Sequence, residues 1–173
     1  GISEKDLKKY FGESVKELAV ANDLSVEETY TQLAEMYDGY HFCEDSTGIY
    51  NPFSLLNTLD SKRFREYWFE TGTPSFLVKM MKETSYDVTR LSGDEVGSSL
   101  LTNVDSAFAN PVPFLYQAGY LTIKDYDKEY KLYKVGFPNK EVKDGFLNYL
   151  LNFYAPVQAE STNALISRMS RDI

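Results

Sequence analysis

Histidine and cysteine are nearly absent from this chain, with one of each, His41 and Cys43, in 173 residues. A lone cysteine excludes an internal disulfide, and a lone histidine leaves no Cys/His set of the size a zinc site needs. No run of about 18 apolar residues occurs, so the sequence contains no candidate membrane-spanning helix. The opening GISEKDLKK is charged where a secretory signal requires an apolar stretch. Basic residues are in deficit: 18 Lys and Arg face 26 Asp and Glu, for a net charge of −8. That balance argues against a surface built to displace counterions from phosphates. There is no GxxxxGK[ST] phosphate loop, no GxGxxG, no GxSxG nucleophile elbow, and no internal repeat. A reducing, cytoplasmic setting is expected.

What is abundant is aromatic surface. The chain carries 14 Tyr and 11 Phe against one Trp, within an apolar fraction of 43%. Such rings fill cores and interfaces, and Tyr can keep its hydroxyl hydrogen-bonded while its ring is buried. The length suits one domain or two small ones with a real core. The sequence also opens directly on a helix-start signal, which suggests a region of something longer.

Ser3 with Asp6, and Ser25 with Glu28, have the spacing of helix-opening capping boxes. Leu7, Phe11, Val15 and Leu18 recur at helical steps after the first, and Val26, Tyr30, Leu33 and Tyr37 after the second. Asp38-Gly39 ends that helix, residues 40–51 form a loop, and Asn51-Pro52 caps a helix bearing Phe53, Leu55, Leu56 and Leu59. A further helix is expected from Thr73-Pro74, and a short strand near 87–91. Residues 112–119 read as a short helix, YLTIKDY and EYKLYKVGF as a β-hairpin at about 119–136, and NKEVKDGFLNYLLNFY as an amphipathic helix. The expected fold is therefore mainly α, a helical region over 1–83 followed by a winged-helix-like unit over 84–154, with 155–173 as a linker.

Chemistry is sparse. His41 and Cys43 lack an orienting third group and read as loop residues. Glu129-Tyr130-Lys131 and Glu141-Val142-Lys143 each match the E-x-K end of a PD-(D/E)XK nuclease motif, in which carboxylates hold Mg²⁺. Three-residue patterns of this kind arise by chance in a chain rich in Glu and Lys, and neither follows an acidic strand end. A DNA-reading helix should carry Arg, Lys, Asn or Gln toward base edges, yet FANPVPFLYQAG (108–119) has no charged residue. The hairpin and following turn, 120–145, hold six Lys against five Asp and Glu. DNA binding by this region is not favoured.

Three blocks in this order and spacing carry a more specific signal. They are MYDGYHF (36–42) with IYNPFSLLN (49–57), YWFETGTPSFLVKMM (67–81), and VPFLYQAGYLTIKDYD (112–127) with LYKVGFPNKEVKDGF (132–146). Over nearly its whole length the chain resembles the C-terminal half of the AAA-ATPase-like family, predicted P-loop ATPases found widely in Bacteroidetes and other anaerobic bacteria. Members usually pair an N-terminal P-loop ATPase with a C-terminal PD-(D/E)XK nuclease-like domain.

The resemblance implies that the phosphate-binding residues lie upstream of Gly1 and the nuclease carboxylates downstream of Ile173. No position here matches either set. ATP and Mg²⁺ would belong to the parent, with no cofactor or metal site in this piece, no catalytic residue and no enzymatic activity of its own. Its expected partners are the upstream ATPase core and the downstream nuclease-like domain, whose states it would couple, with 155–173 leading to the latter. By analogy, His41, Tyr40 and Asn51 would lie nearest a nucleotide, at a loop beside a helix N-terminus where anions are favoured. Trp68, Thr71 and Thr73 are the candidates for an interdomain contact. Two alternatives stay open: a DNA-binding winged helix delivering substrate to the nuclease, and a protein-interaction module of a defence-type system.

Overall fold

The computed structural model describes residues 1–41, 47–70, 79–81, 83, 87, 90–91, 93–102 and 110–154. Its N-terminal part is helical: α1 (Glu4–Tyr10), α2 (Gly12–Ala21), α3 (Val26–Tyr37), α4 (Pro52–Ser61) and the short α5 (Tyr67–Glu70). Both capping boxes form as the sequence predicts. Ser3 Oγ accepts from the Asp6 amide while the Asp6 carboxylate accepts from the Ser3 amide, and Ser25 and Glu28 do the same for α3. Each box satisfies two amides that an α-helix start otherwise leaves without partners. At α4, Asn51 Oδ1 accepts from the Phe53 amide at 3.0 Å. Pro52 fills the first helical position, where no donor is needed.

Helices α1 to α4 share one core, in which Leu7, Leu18, Leu33, Tyr37 and Leu55 are fully enclosed. The buried phenol of Tyr37 ties the core to the segment after α4, donating to the Arg65 carbonyl at 3.0 Å and accepting from its amide at 3.1 Å. Burial pushes this hydroxyl's pKa up to about 12, so it remains a donor at any physiological pH.

The second part runs β1 (Glu95–Gly97), α6 (Ser98–Thr102), α7 (Val112–Gln117), β2 (Thr122–Asp127), β3 (Leu132–Gly136) and α8 (Lys140–Tyr154). The three strands are antiparallel in the order β1-β3-β2, so β1 adds to the free edge of the hairpin. Glu95 faces Lys134 and Val96 faces Tyr133; across the hairpin, Tyr126 faces Tyr133 with ring centroids 4.7 Å apart. Asp127 Oδ1 shapes the hairpin turn by accepting from the amides of Glu129 and Tyr130. Leu115, Val135, Val142 and Phe146 are fully buried in the core beneath the sheet. Trp68 and Phe69 of α5 pack against this second core, as do Met80 and Met81 within it.

Two expectations need correction. Of the strand expected near 87–91, residues 88 and 89 lie outside the described residues and Arg90 and Leu91 form a short 3-10 turn, while a strand lies at 95–97. The hairpin edge decides this. The Val135 amide donates to the Asp94 carbonyl at 3.0 Å, and Arg90 Nε holds the Asp94 carboxylate at 3.0 Å, which starts the ladder at Asp94. The hairpin itself spans 122–136 rather than 119–136, because Tyr120 and Leu121 turn back to donate to the Leu115 carbonyl. The helix start expected at Thr73-Pro74 and the linker at 155–173 lie outside the described residues. The mainly helical character and the hairpin are as the sequence predicts. Among the described residues, no helix is long and apolar enough to cross a membrane.

Candidate functional site

The polar groups of interest gather where the two cores meet. After α3 the chain pairs briefly with its own return: Tyr40 and Ile49 exchange backbone hydrogen bonds of 3.4 and 3.2 Å, and the Tyr50 amide donates to the Ile2 carbonyl at 2.9 Å. This arrangement brings Tyr40 beside the start of α4, where its phenol shares a hydrogen bond with Asn51. Burial, with a contribution from the Glu141 charge, holds the Tyr40 hydroxyl well above its ordinary pKa. A shallow cleft of about 290 Å³ opens here, lined by Gly1, Tyr40, Ile49, Tyr50, Asn51, Pro52, Trp68 and Gly119. Three sequence-nominated residues, Tyr40, Asn51 and Trp68, thus share one cleft.

His41 is used differently from its nomination. Its backbone amide donates to Thr122 Oγ1 at 2.8 Å, and the Thr122 hydroxyl donates back to its carbonyl at 2.9 Å. One buried hydroxyl therefore stitches the loop after α3 to the first residue of β2. Next to it, Gly39 adopts φ +100°, and a Cβ there would stand 2.2 Å from the Pro138 carbonyl oxygen. Only glycine allows the loop to lie this close to the turn before α8. Lys124 closes the same corner, donating to that carbonyl at 3.0 Å.

The residue that sequence reasoning treated only as part of a chance E-x-K match is Glu141. It is 0% exposed, in the first turn of α8. Its Oε1 accepts from the Ser54 hydroxyl of α4 at 2.8 Å and from the Trp68 amide of α5 at 2.9 Å. Its Oε2 is buried and has no hydrogen-bond partner. Burial raises its pKa to about 7, and the nearby Glu66 charge pushes in the same direction, against the two hydrogen bonds. The E-x-K match at 141–143 is therefore a helix start joined to two other helices, far from the strand setting of a nuclease motif. A sequence signal did exist: Glu141 and Gly145 stand four apart on one helix face. A Cβ on Gly145 would meet the Phe69 ring at 2.3 Å, so a bare helix face marks where α5 docks.

Trp68 sits between the units. Its ring lies 4.9 Å from that of Tyr120 and 5.3 Å, edge-on, from that of Phe69. Thr71, Thr73 and Cys43 lie outside the described residues. Among the described residues, no three His, Cys, Asp or Glu side chains come together in a way that could hold a metal ion. The cleft also fits a nucleotide triphosphate poorly. Asn51 Oδ1 already caps the Phe53 amide that an anion would seek, no Lys or Arg is among the lining residues, and the volume lies at the lower limit for small-molecule pockets.

These features define a two-core, mainly helical protein whose units are joined by a buried polar seam. The chain is similar to a protein of Azotobacter chroococcum mcd 1 described as "Uncharacterized protein in vnfD 5'region", with 34% identity over 130 residues, or 74% of this chain. The match spans 25% of that protein, so the chain corresponds to about a quarter of the relative's length. No family model matches the chain. No solved structure matches it.

Proposed function

We propose that this chain is the lid and winged-helix region of a larger P-loop ATPase, and that it couples the nucleotide state of an upstream core to a downstream PD-(D/E)XK nuclease-like domain. The observation that carries the reading is topological. Among the described residues two helices stand between β1 and β2, and β1 joins the hairpin in the order β1-β3-β2, as in a winged helix. The second of those helices, α7, is the one that would enter a DNA groove, but Val112, Pro113 and Leu115 are buried within the protein. A winged unit whose reading helix is used for packing is suited to transmitting position between attached domains. The greater length of the Azotobacter relative is consistent with further domains.

In this reading the chain turns over no substrate, and ATP and Mg²⁺ act in the parent. Tyr40, Asn51 and Trp68 line a surface for a neighbouring domain, and His41 contributes its backbone to holding that surface in place. The test has two arms. Incubated with ATP and Mg²⁺, the chain releases no phosphate above a heat-denatured control; turnover that depends on a residue in this chain overturns the proposal. Titrated against a duplex at 50 and 200 mM salt, it shows no affinity that falls steeply with salt, a loss that could reach ~10³-fold for a protein making several phosphate contacts. A steep dependence transfers the assignment to DNA delivery.

A further inference from the structure

We propose that Glu141 is a proton-controlled latch between the two cores, closed when its carboxyl group is neutral and loosened when it ionises. The inference concerns this chain alone and stands whether or not the parent is an ATPase. Its basis is a junction of three helices on one oxygen: α8 supplies the carboxyl, α4 the Ser54 hydroxyl at 2.8 Å, and α5 the Trp68 amide at 2.9 Å. The second oxygen is enclosed with no partner. A full negative charge there would leave an acceptor unsatisfied in a low-dielectric setting, which favours either protonation or entry of water.

The titratable groups that act on this carboxyl from the packed elements are Glu66 ahead of α5, Tyr40 after α3, and Tyr37 at the end of α3. Two are phenols held neutral by burial and the third is an acid, so among the described residues none of these groups supplies a compensating positive charge. The helix start at α8 favours an anion modestly, and burial outweighs it: the carboxyl titrates near 7, within the range cells traverse. Ionisation would then draw water into the seam and weaken the attachment of α8 to α4 and α5. The faces that separate include Phe69 against Gly145 and Trp68 against Tyr120.

The sole tryptophan lies beside the latch, which makes the test direct. Acrylamide quenching of Trp68 fluorescence is measured from pH 5 to 8.5 on the chain and three variants. In the unmodified chain, quenching rises through a single transition centred near pH 7. Glu141→Gln, neutral at every pH, abolishes the transition and keeps the low-quenching state. Glu66→Gln removes the repelling charge, so the Glu141 carboxylate forms more easily and the midpoint falls.

 His41→Asn leaves the transition in place, which separates it from titration of the chain's one histidine. The proposal is overturned if quenching is flat across the range, if the transition survives in Glu141→Gln, or if it disappears in His41→Asn. Should Glu141→Gln fail to fold, the Glu66→Gln arm still decides, since an unmoved midpoint also overturns the latch.

Discussion

Replacing Thr122 with valine removes one hydroxyl and nearly nothing else, which isolates the stitch between the loop after α3 and the sheet. Thr122 is 2% exposed, and its Oγ1 is both acceptor from the His41 amide and donor to the His41 carbonyl, at 2.8 and 2.9 Å. Valine has a similar shape but is not equivalent, because it leaves both backbone groups without their partner. Each hydrogen bond contributes about 0.5–1.5 kcal/mol net, and a stranded buried group adds a desolvation penalty of about 1–3 kcal/mol. His41 is only half-buried, so water can reach part of the gap, and a total of about 2–3 kcal/mol follows. For a chain of this size that lowers Tm by roughly 5–10 °C. Thr122→Ser keeps the hydroxyl and gives up one methyl, a loss of about 1 kcal/mol. Urea denaturation of the three proteins, with amide exchange at His41, reads both effects. If the valine variant is as stable as the serine variant, or if exchange at His41 is unchanged, the stitch carries no energy and the account of the seam fails.

Three other outcomes are expected. Gly39→Ala forces a Cβ to within 2.2 Å of the Pro138 carbonyl at φ +100°; it should cost more than about 2 kcal/mol by thermal unfolding, and a near-neutral result would mean the loop does not approach α8 as described. Ser25→Ala removes the side-chain acceptor for the Glu28 amide and should cost about 1 kcal/mol in chemical denaturation, with no change if the α3 start is frayed. Stability should also fall as pH rises from about 4.5 to 7. In that window the folded chain keeps a proton on Glu141, whose pKa is raised from 4.5 to about 7, while the unfolded chain has released it. The ceiling on this loss is about 3 kcal/mol. The capping carboxylates Asp6 and Glu28 act in the opposite sense, since their pKa values are lowered by hydrogen bonds to Ser3 and Ser25. Their contribution disappears only as pH falls below the ordinary carboxylate range, so the two effects occupy separate windows. Urea midpoints at pH 5 and 8 check this, and a higher midpoint at pH 8 would contradict it.

Local structure was legible wherever chemistry between near neighbours decides it. Ser3 with Asp6, Ser25 with Glu28, and Asn51 with Pro52 specify helix starts because the groups that satisfy the free amides lie within three residues. The hairpin was readable for the same reason: alternation on both arms surrounds the turn at Asp127. The third strand was misplaced because its position depends on which residues meet the free edge of β3, and that edge is some 40 residues away in sequence.

The candidate site divides along the same line. Asn51 was identifiable as a cap, and Tyr40 and Trp68 as aromatics near helix ends, but their meeting in one cleft depends on how the two cores pack. His41 drew attention as the only imidazole, whereas the structure engages its backbone through a threonine 81 residues away. Glu141 looked like one half of a chance E-x-K. Its burial, its two donors from separate helices, and its raised pKa exist only once α8 lies against α4 and α5. The sequence by itself determined the helices, the hairpin and the acidic, aromatic-rich character, because propensity, capping and periodicity act over a few residues. Tertiary structure alone decided which polar groups are enclosed together, because desolvation depends on neighbours that the order of residues does not bring near.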